Sequence, residues 1–236
     1  MTITYDDILK AQETQSDVIR KTSLEFSDTF SRICGANVYL KNEYEQKTGS
    51  FKIRGAYYKI KSLTDEEKSK GVVAASAGNH SQGVAFASQI ENIPCTIVMP
   101  KTASPAKVAA TKGYGANVVL QGITYDESWA HAQKIASETG ATIIHAFDDP
   151  HVIAGQGVIG LEILEELPEL DEVYVPIGGG GLVAGIITAI KEKNPNVKII
   201  GVESNAYPAM KQSLENNSLT TVEGKMTIAD GISVKT

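Results

Sequence analysis

Three short stretches of this sequence pair a reactive or donating side chain with small residues that let backbone come close to a ligand. The first is Thr48-Gly49-Ser50-Phe51-Lys52-Ile53-Arg54-Gly55, in which Phe51 and Ile53 hem in Lys52 after a glycine-containing turn. A lysine dried by apolar neighbours at the start of a helix loses hydration of its charged form. Its pKa falls, and the neutral amine can attack a carbonyl to form a Schiff base. Read in isolation, the same stretch is more simply a solvated surface lysine.

The second stretch is Ser76-Ala77-Gly78-Asn79-His80-Ser81-Gln82-Gly83, where a predicted strand gives way to a helix. Ligands of open α/β sheets bind at such ends, because a helix N-terminus presents unpaired N–H groups and the positive end of its dipole. With the Ser76 hydroxyl and the Asn79 amide added, those donors suit a carboxylate. The plainer alternative is an ordinary strand-to-helix turn capped by Asn79. Position alone gives His80 no chemical role.

The third stretch is Gly178-Gly179-Gly180-Gly181-Leu182-Val183-Ala184-Gly185, directly after another apolar run. Four successive glycines let the backbone wrap an anion closely, and phosphate is the natural guest. Dinucleotide binding competes here. Gly179-x-Gly181-x-x-Ala184 satisfies the glycine fingerprint, and Glu203 lies about where a ribose-binding acid would fall. A nicotinamide-linked oxidoreductase, however, leaves the first two stretches without a task.

The elements that must position these residues follow a strand, turn, helix rhythm. Short β-branched runs predict buried strands at 72–76, 95–99, 117–120, 142–146, 173–177 and 197–203, with a further one at 37–42. Helical periodicity covers 82–90 and 125–137, with Asp126 as start signal and Gly140 as stop, and Pro150 opens a helix running through Glu165. Strands that alternate with helices imply parallel sheets covered on both faces by right-handed crossovers. The expected fold is α/β, two-lobed, with open parallel sheets. Residues 69–148 form the smaller lobe, and 1–68 with 149–236 form the larger. The stretch from Thr227 to Thr236 stops without a closing helix, so the chain reads as C-terminally incomplete rather than as a short variant.

Bulk properties narrow the function classes. Hydrophobic residues make up 42% and charged residues 21% of the 236, as in ordinary globular proteins. Twenty-two basic against 28 acidic residues give a net charge of −6 with no Lys/Arg block, which argues against nucleic acid or an anionic membrane as partner. Cys34 and Cys95 have no metal spacing and read as small buried side chains in a reducing compartment. Neither a signal peptide nor a bilayer-spanning run is visible, so a cytoplasmic location is expected. The acid pairs Asp148-Asp149 and Glu165-Glu166 read as solvated helix-end charges. His131, His145 and His151 lack metal spacing, and no catalytic serine motif is present.

Taken together, the stretches around Lys52, Asn79 and Gly178–Gly181 resemble the threonine dehydratase/serine racemase group. These are fold type II pyridoxal phosphate enzymes, built like the tryptophan synthase β chain. The likeness continues through Val108-Ala109-Ala110-Thr111, Val152-Ile153-Ala154-Gly155-Gln156-Gly157 and Thr227-Ile228-Ala229-Asp230-Gly231. It implies pyridoxal 5′-phosphate as cofactor, carried on Lys52 through an imine, with the same amine later shuttling the α-proton. Phe51 would pack beside the cofactor ring and Asn79 would bond its 3′-oxygen. Gly178, Gly179, Gly180 and Gly181, with Leu182, would cradle the phosphate. Ser76, Gly78, Asn79 and His80 would surround the substrate carboxylate.

The implied reaction is β-elimination of L-threonine, and of L-serine, to a 2-oxo acid and ammonia. Ala77 and Gln82-Gly83 resemble dehydratases more than racemases, which leaves serine racemase or serine dehydratase as the alternative. A non-catalytic remnant that binds the cofactor is the alternative from another class. Two departures stand out. The family's residue facing the pyridine nitrogen lies in a region that this sequence lacks. The racemase metal site needs an acid that Ser204-Asn205-Ala206-Tyr207-Pro208 does not supply after Glu203, so no metal is expected. By analogy with the family, a homo-oligomer acting on a small amino acid is expected.

Overall fold

The computed structural model describes residues 2–236. Helix α1 (Tyr5–Gln15) starts in a capping box. The Thr4 hydroxyl accepts from the Asp7 amide, and the Asp7 carboxylate accepts from the Thr4 amide. Strand β1 (Leu24–Phe26), helix α2 (Asp28–Cys34) and strand β2 (Tyr39–Lys41) follow, with β1 and β2 antiparallel. The strand expected at 37–42 is therefore present as a shorter one, with a partner that its sequence gave no reason to expect. Helices α3 (Lys52–Lys61) and α4 (Asp65–Lys70) lead into the main sheet.

That sheet is built from β3 (Val72–Ala75), β4 (Cys95–Met99), β5 (Asn117–Leu120) and β6 (Thr142–Ile143). The order is β5-β4-β3-β6 and every pairing is parallel, as the alternating pattern predicts. Helices α5 (Asn79–Ile90), α6 (Pro105–Gly113) and α7 (Tyr125–Thr139) make the crossovers. All four residues of β3 are buried, which explains why its run is continuously apolar. Beyond it, α8 (Pro150–Glu166), β7 (Glu172–Pro176), α9 (Gly181–Lys193) and β8 (Lys198–Val202) form a second parallel unit, followed by α10 (Ala209–Asn216).

Several local expectations need correction. Helix α7 is capped by Thr124, in a capping box with Glu127, so Asp126 lies inside the first turn; Gly140 ends the helix at φ 75°. Strand β6 stops at Ile143 rather than at residue 146, because the carbonyls that follow serve side chains instead of the sheet. Cys34 is exposed, since α2 buries none of its residues. Cys95 is half-buried at the mouth of β4, where burial pushes its thiol up to about 11. Asp149 is no solvated charge: it caps α8 by accepting from the His151 and Val152 amides and pairs with Lys59 at 3.0 Å.

Helix α3 is clasped between α5 and α8 by glycines. A Cβ on Gly55 would overlap the Val152 carbonyl, and one on Gly155 would overlap the Gly55 backbone. One on Gly83 would lie 3.1 Å from the Lys52 carbonyl carbon. Ile53 and Ile60 on α3 are fully buried with Ile97 and Met99 of β4. Each such side chain contributes about 2 kcal/mol by leaving water. The result is a rigid seat for the first turn of α3.

Candidate active site

Strand β3 ends at Ala75, and the chain turns at once. The Ser76 hydroxyl accepts from the Gly78 amide at 3.1 Å, and the Ser81 hydroxyl donates to the Gly78 carbonyl at 2.5 Å. Helix α5 then begins at Asn79 with no side-chain cap, so Asn79 is its first residue rather than its N-cap. An uncapped start leaves the N–H groups of the first turn available to a ligand. No atom lies within 4 Å of where a Cβ on Gly78 would sit, so the turn faces open space.

Lys52 is the first residue of α3, and its Nζ donates to the Ala146 carbonyl at 2.7 Å. Desolvation alone pushes this amine down to about 8 from an ordinary 10.5. The Phe51 ring centroid lies 5.2 Å from Nζ. Phe51 itself packs, together with Leu182, on the apolar cluster around Ile177 and Val183. The drying agent proposed from the sequence is thus in place, and the amine's one protein partner is a neutral carbonyl.

The glycine run joins β7 to α9. Gly180 adopts φ +87° as the N-cap of α9, a conformation that disfavours any other residue. A Cβ on Gly179 would overlap the Phe147 ring, and one on Gly181 would overlap the Phe147 carbonyl. Phe147 follows Ala146, so one short segment touches both the Lys52 amine and the glycine loop. Sequence reasoning missed this segment, since a carbonyl acceptor leaves no residue signature. The sequence there reads only as the end of a strand, 142–146, of which the structure pairs just Thr142 and Ile143.

The ring of His80 is buried, with Nε2 2.9 Å from the Ile144 carbonyl and Nδ1 unpartnered. Since that partner only accepts, Nε2 carries the proton. Burial first, and then the Lys52 charge, push this imidazole down to about 3. The ring therefore stays neutral, with its one N–H committed to the Ile144 carbonyl and Nδ1 left as an acceptor, so toward a carboxylate His80 can donate only its backbone N–H. His80 thus takes the carbonyl that β3, peeling away into the Ser76 turn, no longer meets. Nearby, His145 Nδ1 accepts from the Phe147 and Asp148 amides at 3.3 and 2.8 Å, with its ring edge-on to Phe147 at 4.7 Å. Glu203, the candidate ribose acid, instead accepts from the Met210 and Lys211 amides at 2.8 Å each. That occupies its carboxylate at the start of α10 and removes the main support for a dinucleotide.

A dried amine, a turn of open amide donors and a glycine cradle fit pyridoxal phosphate, whose aldehyde needs the first and whose phosphate needs the last. A family model described as "Pyridoxal-phosphate dependent enzyme" matches residues 15–236. The chain is 54% identical to an L-threonine ammonia-lyase of Thermotoga maritima, over 99% of this chain and 58% of that protein. The chain thus spans little more than half the length of that relative. A maize serine racemase structure superposes with a TM-score of 0.96 at 36% identity, covering 99% of this chain and 71% of that one. A processed threonine deaminase isoform 2 of Solanum lycopersicum gives 0.94 at 44%, covering 98% and 67%.

Proposed function

Because the chain belongs to the family of pyridoxal-phosphate-dependent enzymes, we propose that it forms the catalytic part of an L-threonine ammonia-lyase. L-Threonine, and L-serine with it, would lose the α-proton and the β-hydroxyl as water. Hydrolysis would then release ammonia and leave 2-oxobutanoate or pyruvate. The observation that carries this reading is the Lys52 amine, dried to about 8 and aimed at a neutral carbonyl.

Pyridoxal phosphate, when bound, supplies the electron sink that lets the α-proton leave as a weak acid. The protein's part is to bind, orient and move one proton. Lys52 would hold the cofactor covalently, and its Nζ would accept the substrate's α-proton. Phe51 packs beside the ring and Asn79 bonds its oxygen. Gly178, Gly179, Gly180 and Gly181, with Leu182, hold the phosphate. Ser76, Gly78, Asn79 and the backbone N–H of His80 receive the substrate carboxylate. The same reading takes residues 69–148 as the smaller lobe, 1–68 with 149–236 as the larger, and the assembly as a homo-oligomer.

The 54% identity to a threonine ammonia-lyase supports elimination. The 0.96 TM-score against a serine racemase supports a second reading, since both reactions share every step up to loss of the α-proton. Incubation with L-threonine and L-serine, with 2-oxo acid, ammonia and D-serine all measured, separates them. Elimination gives 2-oxo acid and ammonia in equal amounts. Abundant D-serine without pyruvate would establish racemisation instead, and a bound cofactor without any turnover would identify a non-catalytic binder.

A further inference from the structure

Two residues after Lys52, in the same helical turn, Arg54 is fully buried. Its Nε and Nη2 donate to the two Glu43 carboxylate oxygens, both at 2.8 Å. Its Nη1 and Nη2 donate to the two Glu162 oxygens at 2.6 and 2.9 Å. Glu43 belongs to the turn after β2 and Glu162 to α8, so one guanidinium fastens three parts of the chain. Lys41 closes the set, 2.7 Å from Glu162 and donating to the Thr22 carbonyl at 2.7 Å.

Stability does not account for this arrangement. Drying two cations and two carboxylates is costly, and well-packed apolar residues commonly do as well or better. A cation in the first turn of a helix also opposes the helix dipole. Apolar and glycine packing seats α3, and a planar fork bound edge-on to two carboxylates adds a geometric constraint on its direction from both sides.

We infer that Arg54 is a positioning residue for Lys52: gripping Glu43 and Glu162 fixes the rotation and axial setting of the turn from which the Lys52 amine projects. Elsewhere α3 meets α8 through close glycine contacts, the Gly55 amide donating to Gln156 and the Lys59–Asp149 pair. Glu162 adds a charged fork to α8, and Glu43 ties the same guanidinium to the turn after β2. This rests on the proposed role of Lys52.

The test uses cofactor-free protein and reads the pH dependence of Lys52 labelling by an amine reagent, resolved by peptide mass spectrometry. Arg54→Lys keeps the charge but not the double fork. Glu43→Gln keeps the shape of one partner while removing its charge. In the unaltered protein Lys52 should titrate near 8. In both variants its midpoint should climb by about one pH unit, as a loosened turn lets water reach the amine. The direction is diagnostic for Glu43→Gln: losing a negative charge would by itself lower the midpoint, so only displacement of the amine raises it.

A melting temperature near that of the unaltered protein confirms that Glu43→Gln is folded, and this variant carries the test alone if Arg54→Lys does not fold. An unchanged or lowered Lys52 midpoint in folded Glu43→Gln overturns the inference. Titration of Lys52 like an ordinary lysine in the unaltered protein would instead overturn the proposed function.

Discussion

Lys52 carries a cost that can be measured. Below pH 8 the amine is protonated in both the folded and the unfolded chain, and the folded one bears the desolvation penalty in full. Between about 8 and 10.5 only the unfolded chain keeps the proton, so stability should rise with pH across that window. The whole effect amounts to about 3 kcal/mol. Denaturant titrations of cofactor-free protein should therefore find Lys52→Met more stable than its parent at pH 7, with the gap closing by pH 10.5. A gap independent of pH would mean that the amine is wet. At the glycine loop, Gly179→Ala forces a methyl group onto the Phe147 ring, and equilibrium dialysis should register a fall of about 100-fold or more in pyridoxal phosphate affinity. The apolar neighbours of Lys52 hinted at a dry amine and the glycines at an anion site, but neither was decisive alone. It was their company with the Asn79 stretch, through the family resemblance, that singled them out. Ala146 and Phe147 were not legible, because one acts through a backbone carbonyl and the other through a ring packed on residues far away in sequence.

Helices and strands were legible wherever periodicity and burial coincide. Strands β3, β4 and β5 lie where their β-branched runs placed them, within a residue at either end. Strand β6 was overestimated because Ile144 and Ala146, on either side of His145, continue a strand-like pattern, while their carbonyls bind His80 and Lys52. Antiparallel β1 and β2 were illegible as a pair, being three residues each and separated by a helix that buries nothing. The clasp of α3 between α5 and α8 was hidden for a related reason, since glycine in a helix reads as a weakness until its neighbour is known. It yields a prediction: Gly155→Ala, although it raises helix propensity, should destabilise the protein by about 2–3 kcal/mol, because the new methyl group meets the Gly55 backbone. A chemical denaturation curve that shifts toward higher stability would show that the two helices do not touch there.

For the molecule as a whole, the alternating pattern led correctly to parallel sheets, and none of the helices among the described residues is long and apolar enough to cross a membrane. The four-stranded sheet surrounds a completely buried central strand, whereas β7 and β8 form a two-stranded ladder with several exposed positions. Hydrogen exchange should accordingly find the amides of β3 and β4 among the slowest, and those of β8 markedly faster. Uniform protection would contradict that ranking. The central claim, a cofactor joined to one dried amine, has a more direct test. The protein, loaded with pyridoxal phosphate and treated with borohydride, is digested and its peptides weighed. The account predicts one phosphopyridoxyl group, on Lys52, and none in Lys52→Ala. The same label on another lysine, or undiminished labelling of Lys52→Ala, would contradict it.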